Sequence, residues 1–179
     1  MTAQRVGCTT VEERLSQRVR SAPRRESPGT AVPPPGAAPH LLDRSFERDD
    51  IALVRHEVSA HLRAAGLTGD RLQGFVLAIN EIVTNVVLHA GGHGRLLLWT
   101  ADGSARCSVT DSGPGIPARY LSAPEVPETY EVGGRGIWLA YQLCDEVTVA
   151  TGPIGTTIGL RMLVGAPPDT NRQSSLNTV

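Results

Sequence analysis

Glu81, Asn85 and His89 stand four residues apart in the stretch Leu77–Ala90, LAINEIVTNVVLHA. On a helix that spacing stacks their side chains one above the next. Such a column can do chemistry. Glu81 can act as a base or hold a water in place, and Asn85 can offer an oxygen to a divalent metal. A hard cation such as magnesium takes oxygen ligands and keeps waters alongside substrate phosphates. The same column also describes a polar helix edge facing water, and the helix alone does not decide between the two.

Two glycine-rich stretches add to the list. Asp111-Ser-Gly-Pro-Gly-Ile places a carboxylate before Gly113 and Gly115. Glycines there let the backbone bend and leave room for a flat ligand, while the aspartate can accept a hydrogen bond from an exocyclic amino group. An ordinary turn has the same composition. Further on, Gly133-Gly-Arg-Gly-Ile opens a helical pattern. Free backbone N–H groups and the positive dipole end at a helix start suit phosphate, and Arg135 adds charge. The dinucleotide-binding fingerprint does not fit, because this turn follows a loop and not a strand. The Walker-type phosphate loop lacks its Lys-Ser/Thr.

The elements that must position these groups follow from periodicity. Leu77, Ile79, Ile82, Val83, Val86 and Val87, extended upstream by Leu72, Phe75 and Val76, form the apolar stripe of a helix from Gly69-Asp70 to about Ala90. Gly91, Gly92 and Gly94 end it. Before it, His40–Glu47 reads as a strand and Ile51–Ala65 as a helix with Ile51, Val54, Val58 and Leu62 inward, capped by Asp49 or Asp50 and stopped at Gly66. After it, Arg95–Thr100 and Ala105–Asp111 are strands joined by Asp102-Gly103, a strong hairpin signal. Pro117–Val132 is too long for a tight turn and reads as a lid. Ile137–Cys144 is a helix with Ile137, Ala140, Tyr141 and Cys144 inward, and Trp138 is expected to pack inward too. Asp145–Ala150 and Thr156–Val164 are a closing pair of strands.

Composition bounds the rest. With 179 residues, 40% of them hydrophobic, the chain has enough apolar material for one core with appendages. A net charge of −1 gives no broad basic field, so nucleic acid is not an expected partner. No run reads as long and apolar enough to span a membrane, and no apolar leader precedes the domain. Cys8, Cys107 and Cys144 are far apart and read as free thiols in a reducing cytoplasm. Residues 1–39 read as a disordered extension rich in proline and arginine. Within it, Thr10–Arg20 has a capping box at Thr10/Glu13 and puts Val11, Leu15 and Val19 on one face. Residues 165–179 read as a disordered tail after a domain at 40–164.

Taken in order, Glu81/Asn85/His89, Asp111/Gly113/Gly115, Gly133/Gly134/Gly136 and Gly155/Thr156/Thr157 resemble the motifs of the GHKL ATP-binding superfamily of DNA gyrase, histidine kinases and MutL. Size and the form of the helix are most similar to the bacterial anti-sigma factor serine-protein kinases. The resemblance implies a two-layer α/β sandwich, a mixed and mostly antiparallel sheet with helices on one face and an ATP lid. It implies ATP and magnesium as cofactors. Asp111 would bind the adenine amino group, with Gly113 in its loop, Gly115 against the base and Thr156 reaching it. Asn85 would ligate magnesium, and Glu81 would be the catalytic base. Gly133, Gly134, Arg135, Gly136 and Ile137 would hold the phosphates.

The resemblance further implies a cytoplasmic serine/threonine-protein kinase. It would bind a sigma factor, phosphorylate an anti-anti-sigma protein, use Arg55 as a partner contact and be able to form a homodimer. A non-catalytic, ATP-dependent binding module would use the same nucleotide site. A histidine-kinase catalytic fragment, suggested by His56-Glu57, lacks room upstream for the paired long helices of an acceptor domain.

Overall fold

The computed structural model describes residues 40–117 and 135–165. The expectations for residues 1–39, for the lid beyond Pro117, for Gly133 and Gly134, and for the tail lie outside the described residues.

Five strands form one sheet: β1 (Leu42–Phe46), β2 (Gly94–Ala101), β3 (Ser104–Asp111), β4 (Glu146–Gly152) and β5 (Gly155–Leu163), in the order β1-β2-β3-β5-β4. Three helices accompany them: α1 (Ile51–Ala64), α2 (Gly69–His89) and α3 (Arg135–Leu143). Every described strand pairing is antiparallel, so the mixed sheet expected from the resemblance is antiparallel throughout these residues. The α3 crossover delivers β4 to the edge, and the tight β4–β5 turn then brings β5 back beside β3.

Alternation along the strands sends Phe46, Leu96, Leu98, Cys107, Val109, Ile158, Leu160 and Met162 to one face, where the helices cover them. From above, α1 contributes Val54, Val58 and Leu62, α3 contributes Ile137 and Ala140, and α2 contributes eight buried residues from Leu72 to Val87. Each fully buried aliphatic side chain stabilises the fold by about 1.5–3 kcal/mol. α2 therefore anchors the domain as well as presenting Glu81 and Asn85.

Several expectations need correction. Leu77 is 44% exposed and Ala78 is buried in its place. At about 100° per residue, Leu77 points some 200° away from Phe75 and Ile79, off the core stripe. α2 itself is long and apolar enough, with mean hydropathy 1.3, to meet the membrane-span criterion that the sequence reading found unmet. Here it is the central core helix, lying on the sheet with Phe75, Ile79 and Ile82 fully enclosed. Asp50 does not cap α1 through its side chain. Its carboxylate accepts from the Glu47 backbone N–H (3.0 Å) and from Arg44 (3.1 Å), closing the 3-10 turn Arg48–Asp50. Glu57 also pairs with Arg44 (3.0 Å), so Glu57 of the His56-Glu57 pair ties α1 to β1. Trp138 is half-buried and outside the core, because it lies about 100° round the helix from Ile137. Cys107 and Cys144 are free thiols. Burial pushes the Cys144 thiol up to about 12 and raises that of Cys107 as well.

Gly94 marks the tightest join between α2 and the sheet. A Cβ there would lie 2.7 Å from the Phe46 ring, 2.9 Å from the Thr110 carbonyl and 3.0 Å from Val86. Gly94→Ala is expected to lower the unfolding free energy by about 2 kcal/mol, measured by urea denaturation. Wild-type stability in that variant would show that the join yields.

Candidate functional site

Asp111 is the last residue of β3, and its carboxylate is fixed on one side. Oδ1 accepts from the backbone N–H of Gly113 (2.8 Å) and of Thr156 (3.2 Å). Among the described residues nothing bonds to Oδ2, which remains a free acceptor for an amino group. The two N–H groups come from the glycine loop and from the start of β5, so one carboxylate oxygen joins two of the sequence motifs.

Glycines clear the space around it. Gly115 has φ +85, and a Cβ on it would collide with the Gly152 carbonyl and sit 3.1 Å from Thr151 Oγ1. Gly155 has φ +148, and a Cβ there would collide with the Asp111 carbonyl. Such φ values and such contacts require glycine. Gly113 lies against Ala90 at the end of α2, where a Cβ would come within 2.6 Å of Ala90 Cα and Cβ. The Asp111 loop therefore abuts the C-terminus of α2. Asn85 and Glu81 lie further back along the same helix, about 7 and 13 Å from Ala90 at the usual rise.

The start of α3 completes the arrangement. A Cβ on Gly136 would lie 2.6 Å from Asn85 Nδ2 and 3.2 Å from Glu81 Cβ. The helix start that was expected to hold phosphate is thus seated on the two polar side chains of α2. Arg135, the first residue of α3, is exposed at this end and Ile137 is buried beneath it. Glu81 and Asn85 are half-buried. His89 is exposed on the last turn of α2 and joins neither group. Arg55 is exposed on α1. Among the described residues no group of three or more His, Cys, Asp or Glu gathers. A divalent ion held here would take Asn85 and complete its shell from ligand and water oxygens.

Sequence reasoning missed Thr151. Its hydroxyl accepts from the Ile116 N–H (2.8 Å) and bonds the Thr156 hydroxyl (2.9 Å). It pairs with Thr156 across the β4–β5 hairpin, so the register of that hairpin was the available signal. Thr151→Val keeps the volume and removes the acceptor, leaving Ile116 N–H unpaired at a cost of about 1–3 kcal/mol. Faster hydrogen exchange at the Ile116 amide is the expected result, and unchanged exchange would remove Thr151 from the site. A separate cleft of about 440 Å³, lined by Phe46, Asp50, His93, Arg95 and Thr110, reaches Asp111 and Ser112 but includes none of Glu81, Asn85, Gly115 or Thr156.

Residues 45–162, well over half of the chain, match the histidine kinase-like ATPase domain. The chain belongs to that family. Membership accounts for the open five-stranded sheet under helices and implies ATP binding. No curated protein matches the sequence. Among solved structures, the RsbU and RsbW domains of Rv1364c from Mycobacterium tuberculosis share 23% identity over 73% of this chain, with a TM-score of 0.55. The histidine kinase-like ATPase chain spans only about a third (34%) of that structure. Also similar are the histidine kinase domain of the Erythrobacter litoralis EL346 blue-light activated kinase (21% identity, 64% of each chain, TM-score 0.43) and the mycobacterial sensor histidine kinase MprB (19% identity, 68% of this chain and 97% of that one, TM-score 0.44). At these identities the likeness is one of fold.

Proposed function

We propose that this ATPase-family domain is a serine/threonine-protein kinase of the anti-sigma type, binding a sigma factor and phosphorylating an anti-anti-sigma protein. The observation that supports catalysis is the seating of Gly136 on Asn85 and Glu81. That contact, made through the Asn85 amide nitrogen and the Glu81 Cβ, supports grouping the helix start with these two side chains in one site.

In this reading Asp111 Oδ2 takes the adenine amino group, Gly113 shapes the loop, Gly115 lies against the base and Thr156 reaches its edge. Asn85 holds a magnesium ion, and Gly133, Gly134, Arg135, Gly136 and Ile137 form the phosphate end. Magnesium, when bound, supplies charge neutralisation on the phosphates. Glu81 aligns the acceptor hydroxyl and takes its proton as that oxygen bonds to the γ-phosphorus of ATP and the bond from that phosphorus to the bridging oxygen breaks, releasing ADP. Little more is needed, because phosphoryl transfer is governed by positioning and electrostatics. Arg55, exposed on α1, is the proposed partner contact, and a homodimer and a cytoplasmic location belong to the same proposal. The name of the RsbW domain in the similar mycobacterial structure is consistent with the anti-sigma assignment.

The experiment is transfer from radiolabelled Mg-ATP into an extract of the source organism. A small labelled protein, seen only when the kinase is added, is the expected result and identifies the substrate. No label from a preparation that binds ATP would reject the kinase in favour of a nucleotide-dependent binding module.

A further inference from the structure

The helices cover one face of the sheet. On the other face, strand register lines up Trp99, Arg106, Arg161 and Glu146 in a single row across β2, β3, β5 and β4. Trp99 is outside the core formed with the helices, and no described helix lies over this row. Yet Trp99 is only 2% exposed, and Ser104 and Ser108 on the same face are 1% and 2% exposed. A tryptophan lying on a bare sheet keeps one side of its ring in water, so this ring has a cover. The cover is local, since Arg95, Thr110 and Ala150 toward the other end of the face are exposed. It also leaves polar atoms unmatched. Trp99 Nε1 and Arg106 Nε are buried without a hydrogen-bond partner among the described residues. Buried indole and guanidinium N–H groups ordinarily find acceptors.

We propose that the N-terminal segment Thr10–Arg20 docks on this patch as an amphipathic helix, with Val11, Leu15 and Val19 over Trp99. The chain leaves the sheet at the right place. Leu41 N–H donates to the Leu98 carbonyl (2.8 Å), so residue 40 departs beside Trp99. The linker Ser21–Pro39 has ample reach, because a proline-rich chain extends about 3.1 Å per residue and the row is only a few strand spacings of about 4.8 Å wide. The three apolar residues span about 12 Å of helix, close to the distance from β2 to β5. Charge also fits. Arg161 is paired with Glu146 at 2.6 Å, whereas among the described residues Arg106 pairs with Asp102, 3.7 Å away and 88% exposed. Glu12 follows Val11 at the edge of the apolar face and supplies a carboxylate for Arg106. Residues 166–179 have no helical apolar stripe.

Hydroxyl-radical footprinting of the full chain, read by mass spectrometry, tests this at Trp99 itself. In the wild type Trp99 should be protected. In Val11→Asp/Leu15→Asp/Val19→Asp its oxidation should rise severalfold, while Phe75 and Met162 in the core stay protected. Unchanged protection of Trp99 in that variant overturns the proposal. So does protection that disappears when the wild type is diluted, which would assign the cover to a second copy, or that disappears only on altering residues 166–179. Should the triple variant lose its core protection, a photo-crosslinking amino acid at position 15 gives an independent reading. Crosslinks within one chain to peptides of β2, β3 or β5 are expected, and crosslinks only between chains, or none to the sheet, overturn the docking.

Discussion

Asp111→Asn is expected to weaken ATP binding by about 100-fold. The carboxylate has two separate tasks. Oδ1 holds the Gly113 and Thr156 N–H groups, and in the proposed site Oδ2 is the acceptor offered to the ligand. An asparagine has one oxygen. If that oxygen keeps the two backbone bonds, an NH2 group faces the adenine amino group and donor meets donor. If the amide turns over, two backbone donors lose their acceptor and the loop that places Gly115 is released. A hydrogen bond to a charged acceptor contributes about 1.5–3 kcal/mol, with a comparable penalty for an unmatched buried donor. A net loss near 3 kcal/mol corresponds to about two decades in affinity. Isothermal titration calorimetry measures it directly. The loss should be smaller for inosine triphosphate, whose 6-oxo group can accept from the asparagine NH2. That contrast separates a lost recognition contact from a damaged loop. Wild-type affinity for ATP in Asp111→Asn would remove Asp111 from the adenine site.

Most of the scaffold was legible because its signals are local. The Asp102-Gly103 turn reports itself through residues that tolerate positive φ, and both adopt it, at 51° and 66°. α2 announces its length by eight buried positions at helical spacing. What the sequence misplaced depends on orientation within a helix. Leu77 belongs to an apolar run, yet its angle takes it away from the sheet, and Trp138 leaves its core stripe for the same reason. The candidate site was proposed from four separate motifs. What joins them was not legible: the double acceptance at Asp111 Oδ1, the contact of Gly113 with Ala90, and the Thr151 hydroxyl between Ile116 and Thr156 all link residues distant in sequence. Arg44 shows the same limit, since its bonds to Asp50 and Glu57 override a local capping rule for Asp50. Trp99 is the largest case. Alternation correctly separates it from Leu98, but only the structure shows that it is buried on the face away from the helices.

Glu81→Ala is expected to leave ATP binding near wild type and to lower phosphoryl transfer by about 10²–10⁴-fold, the usual range for loss of a general base, or about 3–5 kcal/mol of barrier. The two effects separate because of where Glu81 stands. The proposed purine end comprises Asp111, Gly115, Thr151 and Thr156 near the C-terminal end of α2, and Glu81 lies more than two turns away beside Gly136. Its truncation removes no contact of Asp111 and no core residue, since Glu81 is half-buried and absent from the apolar cluster. Glu81→Gln sharpens the test. It keeps the side chain's size beside Gly136 and can still orient a hydroxyl, but it cannot take a proton. A base predicts that Gln is nearly as inactive as Ala, whereas a purely orienting role predicts that Gln recovers most of the rate. Single-turnover transfer to the labelled substrate, run beside a nucleotide-binding titration of the same preparations, reads both quantities. Transfer at the wild-type rate in Glu81→Ala would exclude Glu81 as the base. A parallel collapse of ATP affinity would instead place its carboxylate in nucleotide binding.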